Sequence, residues 1–547
     1  MMRLCSRHGA ALLALCAVAV AAGALAQSPQ TAQPAMADMS GSYRIAGVLV
    51  NASTGEPVQR ATVEALKEED SHAVATCVTN SEGRFVLDRL AAAKYQLTAS
   101  KRGFRTAFYD EHDQFSTAIV TGPDQDTSHL RFKLTPLATL HGVVTSDAGD
   151  PVANARVTLF RRPKHPGAGE RIEPADGTST DDTGAYEFSD VAAGEYLLAV
   201  MAEPWYAVHD GAPGKRNAAL DVAYPVTYFD STTDEASATP IVLAGGSREE
   251  ANISLHAVPA LHLSIPTPRK ADGTIVMPLV QQMAFGNVIN AESAGNIGGI
   301  ETGALEVSGI APGRYEVTQF DPPRVVDLDL ASSQQVDPTA GSPANAVAGR
   351  IRMLSGAPAP DNATVSLHRV DNGPGQFTYA ALATHGRFKF DAVPPGEWAV
   401  AATSGSSALT VVAVGTDAAQ QAGNIVTLRD HAPELLVTLS DFETNVEGFA
   451  MKSGKGLAGA MIVLLPENPA QWRTLTRRDQ SDSDGSFALR DVSPGEYKLV
   501  AIEDGWDLDW TSPEAMARYL QHGAKVRVTE SSGKLVRLGT PVVVQQR

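Results

Sequence analysis

The stretch Ser483–Val500, SDGSFALRDVSPGEYKLV, decides the fold. Gly485 is followed by Phe487 and Leu489, then by Val492, then by Pro494-Gly495-Glu496-Tyr497. Phe487 and Leu489 alternate with Ala488 and Arg490, the period of a strand with one buried face. Gly485 sits where a turn needs positive φ, and Pro494-Gly495 reads as a second tight turn. Tyr497, Leu499 and Ala501 then resume the two-residue period. The pattern predicts a β-hairpin, with nothing reactive in it.

The same skeleton recurs four times. Gly184, Tyr186, Phe188, Val191, Gly194 and Tyr196 repeat it, as do Gly386, Phe388, Phe390, Val393, Gly396 and Trp398. Gly303, Leu305, Val307, Ile310, Gly313 and Tyr315 form a weaker copy, and Gly83, Phe85, Leu87, Leu90 and Tyr95 form another, with Ala93 in place of the second glycine. In every copy the two turn positions lie 10 residues apart and the aromatic follows 2 later. Fixed internal spacing of this kind marks tandem duplication. The recurring aromatics Tyr95, Tyr196, Tyr315, Trp398 and Tyr497 read as core.

Working outward, Met1–Ala26 has the layout of a secretory signal peptide: Arg3 and Arg7, an apolar run from Ala10 to Ala24, and Ala24-Leu25-Ala26 as cleavage site. Gln27–Ser40 reads as a disordered linker. No later run reaches the ~18–20 apolar residues of a membrane-spanning helix. The expected location is therefore periplasmic or extracellular. The chain carries a net charge of −18, and loss of Arg3 and Arg7 takes it to −20. Such a balance argues against nucleic acid and anionic membrane surfaces as partners. Cys5 and Cys16 leave with the signal, so Cys77 is left with no intramolecular partner and the domains must hold by their cores.

Five repeats are expected, at residues 41–135, 136–258, 259–341, 342–440 and 441–547, each a sandwich of about seven short strands. The first opens on Ile45–Val50, and Ala61, Val63 and Ala65 alternate in its second strand. The second opens on His141-Gly142-Val143-Val144 and carries an insertion, Glu203–Asp230, with Trp205, Tyr206, Tyr224, Tyr228 and Phe229. The third is degenerate outside its hairpin half. In the fifth, Gly505–Gly523 breaks the β pattern; Ser512 can cap a helix with Pro513 at its first position, predicting a short helix over Glu514–Leu520. The fold class is all-β.

The G-x-V opening, the P-V-x-x-A-x-V second strand (Pro151–Val157) and the D-x-T-G-x-Y … G-x-Y segment (Asp181–Tyr196) resemble the carboxypeptidase regulatory-like domain. That resemblance implies a seven-stranded transthyretin-like sandwich, close to the collagen-adhesin B-type repeat and the starch-binding-like fold. It is fullest over repeats one, two, four and five. The tail Glu503–Val528, with Trp506, Trp510, Tyr519 and Gly523, is similar to the last segment of exported bacterial proteins built of such repeats. In the carboxypeptidases this domain is separate from the zinc enzyme, so the resemblance implies a fold and not an activity. In bacteria such domains are taken as binding, spacing or accessory modules, sometimes for carbohydrate.

The search for chemistry finds little. His431-Ala432-Pro433-Glu434 matches H-x-x-E, but Pro433 interrupts it before an expected strand. There is no G-x-S-x-G and no P-loop. Gln480, Asp482, Asp484, Gly485 and Asp491 nearly trace a calcium loop, with a neutral first position and Asp at the last; a turn explains the same residues. Lys452 is the candidate for an intramolecular Lys–Asn isopeptide bond of the adhesin type. No catalytic residue, metal or cofactor is expected. Sugar rings stack on flat aromatic faces, and loops on rigid scaffolds carry binding sites. Trp205, Tyr206, Tyr224 and Tyr228 in the insertion, with Trp506 and Trp510 in the tail, are therefore the candidate ligand-binding residues; their other reading is packing. The function expected is an exported, non-catalytic binding or scaffold protein, with a polysaccharide or cell-wall glycan as partner. The alternatives are a structural or adhesive stalk holding envelope proteins and, more remotely, an accessory chain of a peptidase.

Overall fold

In the computed structural model of the chain, the described residues are 41–67, 72–162, 172–209, 215–266, 277–292, 304–320, 323–370, 378–416, 419–429 and 434–547. The expected signal peptide and linker, the turn residue Gly303 and the His431 of the H-x-x-E match lie outside them.

The fold is all-β, a tandem array of transthyretin-like sandwiches. In the first repeat, Tyr43–Asn51 pairs antiparallel with Arg84–Leu90 and parallel with Leu130–Leu134. The facing sheet runs Ala73–Val78, Thr62–Lys67, Lys94–Ser100, the last strand also pairing Ala107–Phe108 and Ile119–Val120. The second repeat follows the same plan. Ala138–Ser146 lies between Ala185–Val191 and the parallel strands Arg248–Glu250 and Ile253–Leu255. Opposite it, Arg156–Arg161 pairs with Glu173–Ser179 and Gly194–Met201. In the fourth repeat, Ser407–Gly415 pairs with Gly396–Ser404 of one layer and Leu435–Ser440 of the other, so the two layers join along one edge.

Five hydrophobic cores, running from Ile45 to Leu134, Ala138 to Leu255, Leu261 to Val336, Val347 to Leu439 and Val446 to Val544, each draw on both layers of one repeat. Alternation produces them: in Thr62–Lys67, Val63 and Ala65 are fully buried while Thr62 and Glu64 are not. Each fully buried Val, Leu or Phe contributes about 1.5–3 kcal/mol of transfer free energy. The third repeat holds a core despite its weak sequence signal, with Leu263, Ile265, Val280 and Val317 at 0 % exposure.

The recurring motif is not a hairpin. Ser486–Val492 pairs with Thr444–Lys452, whereas Gly495–Glu503 pairs with Met461–Pro466. The same division holds in the other four repeats. The second turn is therefore an arch between the two layers. Both flanking strands aim their apolar residues into the same core from opposite sides, which a hairpin in one sheet would set side by side. The aromatic after the arch closes it. The Tyr95, Tyr196, Tyr315 and Tyr497 hydroxyls donate to the carbonyls of Ala91, Ala192, Ala311 and Ser493, at 3.1, 2.9, 2.9 and 2.7 Å. Trp398 Nε1 does the same to Pro394 O at 3.2 Å.

The first turn behaves as expected. Gly83, Gly184, Gly386 and Gly485 have φ of 70, 75, 71 and 84°. The C-terminal helix spans Pro513–Leu520, with Ser512 as N-cap accepting from Ala515 N. A further single turn, Trp472–Leu475, is absent from the sequence reading. It buries Trp472 on the outer face of the last sheet and Leu475 in the fifth core. No helix among the described residues is long and apolar enough to cross a membrane.

Candidate functional site

The candidate aromatics do not share one surface. Trp205 is 90 % exposed at the start of the insertion, with Tyr206 half-buried beside it, their rings 5.7 Å apart and at 82°. Tyr224 and Tyr228 turn inward, to 7 % and 4 % exposure. Thr227–Tyr228 joins the sheet against Ala199 and Val200. Tyr224 lies in the second core, and the Tyr228 ring meets Phe285 of the third repeat edge-on at 5.0 Å. Burial pushes the Tyr228 phenol well above its ordinary range, and Glu235 beside it adds to the rise.

Three further residues of the insertion, His209, Arg216 and Asp221, are held by charge. His209 Nδ1 lies 2.9 Å from Asp221 Oδ1, and His262 Nε2 lies 2.8 Å from Asp221 Oδ2. Arg216 donates to His209 O at 3.0 Å and to Glu306 Oε1 at 2.5 Å. Burial alone would raise the Asp221 carboxyl; the hydrogen bonds and charge of the two histidines more than offset it and hold the group below the usual carboxylate range. This bracket ties the second repeat to Leu261–Pro266 and Ala304–Ile310 of the third.

Trp506 and Trp510 lie where the fifth repeat meets the first. Trp506 stacks on His112 at 5.0 Å with 7° between the planes, and its Nε1 donates to Gly459 O at 3.1 Å. The Arg478 guanidinium sits between the rings of Phe115 and Trp510, 5.1 and 4.9 Å from their centroids, and donates to Asp113 Oδ2 at 3.1 Å. Both tryptophans are half-buried packing elements here.

Gln480 and Asp482, two of the residues that trace a calcium loop, belong to the same contact. Gln480 Nε2 donates to Thr117 Oγ1 at 2.7 Å and to Asp110 O at 2.5 Å. Asp482 takes Lys94 Nζ at 2.6 Å and Ala118 N at 3.1 Å, while Asp484 takes Ser486 N at 2.9 Å. Ser483 N donates to Ala118 O at 2.9 Å, and Val120 N to Ser483 Oγ at 2.8 Å. The Asp482 and Asp484 carboxylates thus have fixed protein donors. Lys452 meets Glu503 Oε2 at 2.5 Å rather than an Asn amide, so its contact is an ion pair.

Sequence reading missed His112, Asp113, Lys94 and Arg478 altogether. Their signal was weak: polar residues in turn-rich stretches, indistinguishable by pattern from a solvated surface.

Residues 44–135 and 139–222 each match the model of the carboxypeptidase regulatory-like domain. These two stretches, about a third of the chain together, are similar to that domain. No curated protein matches the chain. Solved structures similar to it include a minor pilin of Streptococcus agalactiae, at 15 % identity over 40 % of this chain and 97 % of that one, TM-score 0.21. A shaft pilin of Lactobacillus rhamnosus GG is 10 % identical over 39 % and 97 %, TM-score 0.19. The major pilin subunit of Bacillus cereus is 11 % identical over 75 % and 98 %, TM-score 0.13. At such scores the pilins carry no weight on what these regulatory-like domains and their neighbours bind.

Proposed function

We propose that the chain is an exported, non-catalytic scaffold: an array of sandwiches, fixed to one another, that presents a surface contact to a partner at the cell envelope or outside it. The observation that carries this reading is the junction of the first and fifth repeats. Two ion pairs, an aromatic stack and three hydrogen bonds to or from backbone amides hold them together. Fixed inter-repeat geometry suits a part that holds other molecules at set positions. The contact itself is the Trp205–Tyr206 knuckle. A flat indole at 90 % exposure favours a glycan as the second, finer reading, because an exposed ring offers a surface for stacking.

The test is retention of the chain without residues 1–26 on insoluble polysaccharides and purified cell wall, beside Trp205→Ala. Retention lost in the variant, at unchanged melting temperature, supports the glycan reading and locates it. No retention on any matrix removes that reading and leaves a scaffold for protein partners. Retention equal in both proteins removes the knuckle from the proposal.

A further inference from the structure

At one end of the first repeat, Arg60, Thr62, Ser100, Lys101, Arg102 and Thr106 line a concavity of about 590 Å³. That volume falls in the range of small-molecule sites. Among the described residues, no carboxylate lines it. Strand pairing sets the lining in order. Thr62 pairs with Ser100 at the end of the ladder between Thr62–Lys67 and Lys94–Ser100. Their neighbours Val63 and Ala99 are fully buried, so Thr62 and Ser100 stand on the outer face. On the other side of Lys94–Ser100, Ala99 pairs with Ala107, which brings Thr106 to the Ser100 end. The three hydroxyl residues thus cross three neighbouring chain segments, spaced about 4.8 Å apart. Arg60 precedes Thr62 by two residues and Arg102 follows Ser100 by two, so both lie off the same end of this antiparallel pair.

The charge of this lining is not cancelled. Arg60 and Arg102 are exposed, and neither makes an ion pair or a side-chain hydrogen bond among the described residues. Lys101 Nζ donates to Gln59 O at 2.9 Å and lies 5.5 Å from the Phe104 ring centroid. Those contacts hold the ammonium in place and leave its charge. The one carboxylate on Thr62–Lys67 or Lys94–Ser100 is Glu64, two residues further into its strand than Thr62, and it is not part of the lining. In a chain of net charge −18, three cations on one concavity with no acid in its wall invert the local field.

We infer that this concavity binds an acidic sugar: its carboxylate or phosphate meets the cations, and its hydroxyls run along the row of Thr62, Ser100 and Thr106. Guanidinium groups donate paired N–H bonds to either anion. Ser and Thr hydroxyls both donate and accept, as sugar hydroxyls require of a partner. The lining offers no aromatic face on which a nucleobase would stack. The site lies within the first repeat, includes neither Trp205 nor Tyr206, and stands independently of the knuckle.

The probes are digalacturonate, glucose 6-phosphate, neutral lactose and inorganic phosphate, titrated calorimetrically into the chain without residues 1–26. At least one of the two acidic sugars should bind, and lactose should not. Inorganic phosphate, which lacks the hydroxylated body, should bind roughly tenfold more weakly or worse. Arg102→Ala and Arg60→Asn should each weaken the acidic sugar by roughly tenfold or more. Asn is chosen because it tolerates the φ of 55° at Arg60. Should either arginine variant unfold, Thr62→Val takes its place, with a loss of several-fold. Added salt should weaken binding in the parent and less so in the arginine variants. Arg84→Ala, on a surface ion pair elsewhere in the first repeat, should leave binding unchanged, as should Trp205→Ala. Binding of digalacturonate alone assigns a uronate-containing glycan as source, and binding of glucose 6-phosphate alone a phosphorylated sugar. Failure of both acidic sugars, equal binding of lactose or of inorganic phosphate, or indifference to the arginine variants overturns the inference. Trp205→Ala is a control here and the variant of the retention test, so failure of one reading is distinguishable from failure of the other.

Discussion

Five aromatic side chains, four tyrosines and one tryptophan, each close an arch by donating to the carbonyl four residues earlier. The sequence carried that information unread. The position never holds Phe, although Phe would fill the core as well, because a donor is required there. Two measurements follow for Tyr497. Tyr497→Phe leaves the Ser493 carbonyl buried without its partner and should cost the fifth repeat about 1–2 kcal/mol, read as a lower denaturant midpoint for that repeat. Burial also pushes the Tyr497 phenol up to about 12, with Arg477 pulling the other way. Its folded form therefore keeps a proton that the unfolded chain gives up near the ordinary value of about 10. The stability this represents is complete below that ordinary value and is lost as pH rises toward the folded one. Unfolding midpoints should fall in the parent between about pH 10 and about pH 12, and less steeply in the Phe variant.

Among the elements, strands were legible and their partners were not. A two-residue period says which face of Ser486–Val492 is buried; it does not say whether the strand pairs with its neighbour in sequence or with Thr444–Lys452. Both arrangements bury the same residues, so the arch read as a hairpin. The C-terminal helix was legible because Ser512 and Pro513 are local signals. The turn at Trp472–Leu475 has no side-chain cap to announce it. The first glycine of the motif was legible for a local reason too, and it can be tested. A Cβ on Gly485, at φ 84°, would stand 2.6 Å from Ala450 O. Gly485→Ala combines a left-handed backbone with that clash and should destabilise the fifth repeat by at least about 2 kcal/mol. Gly533→Ala, at positive φ with no atom within 4 Å of the added carbon, should cost less. Comparing the two by thermal melting separates conformational strain from steric exclusion.

At the scale of the whole molecule, pattern reading ends. The contact of Ala118 and Val120 with Asp482 and Ser483 joins residues up to 365 positions apart, from Ala118 to Ser483. It is built from turn residues that look solvated, so no periodicity could announce it. The tail tryptophans were noticed for their chemistry and turn out to serve this contact. Asp482→Ala removes one partner of Lys94 and the side-chain acceptor of the Ala118 amide and should weaken the junction by about 1–3 kcal/mol. Amide exchange at Ala118 and Val120 should then accelerate, while protection in the second, third and fourth cores stays as in the parent. Uniform acceleration across all five repeats would show instead that the array unfolds as one unit.

The junction also decides how the chain would answer a mechanical load. Tension applied between Gly41 and Arg547 would fall first on the bonds from Ala118 and Val120 to Asp482 and Ser483, and the repeats between would be relieved of it. Rupture of those few bonds would release the intervening length at once, before any sandwich unfolds. Such a molecule is stiff up to a threshold and extensible beyond it, a fuse bridging its own slack.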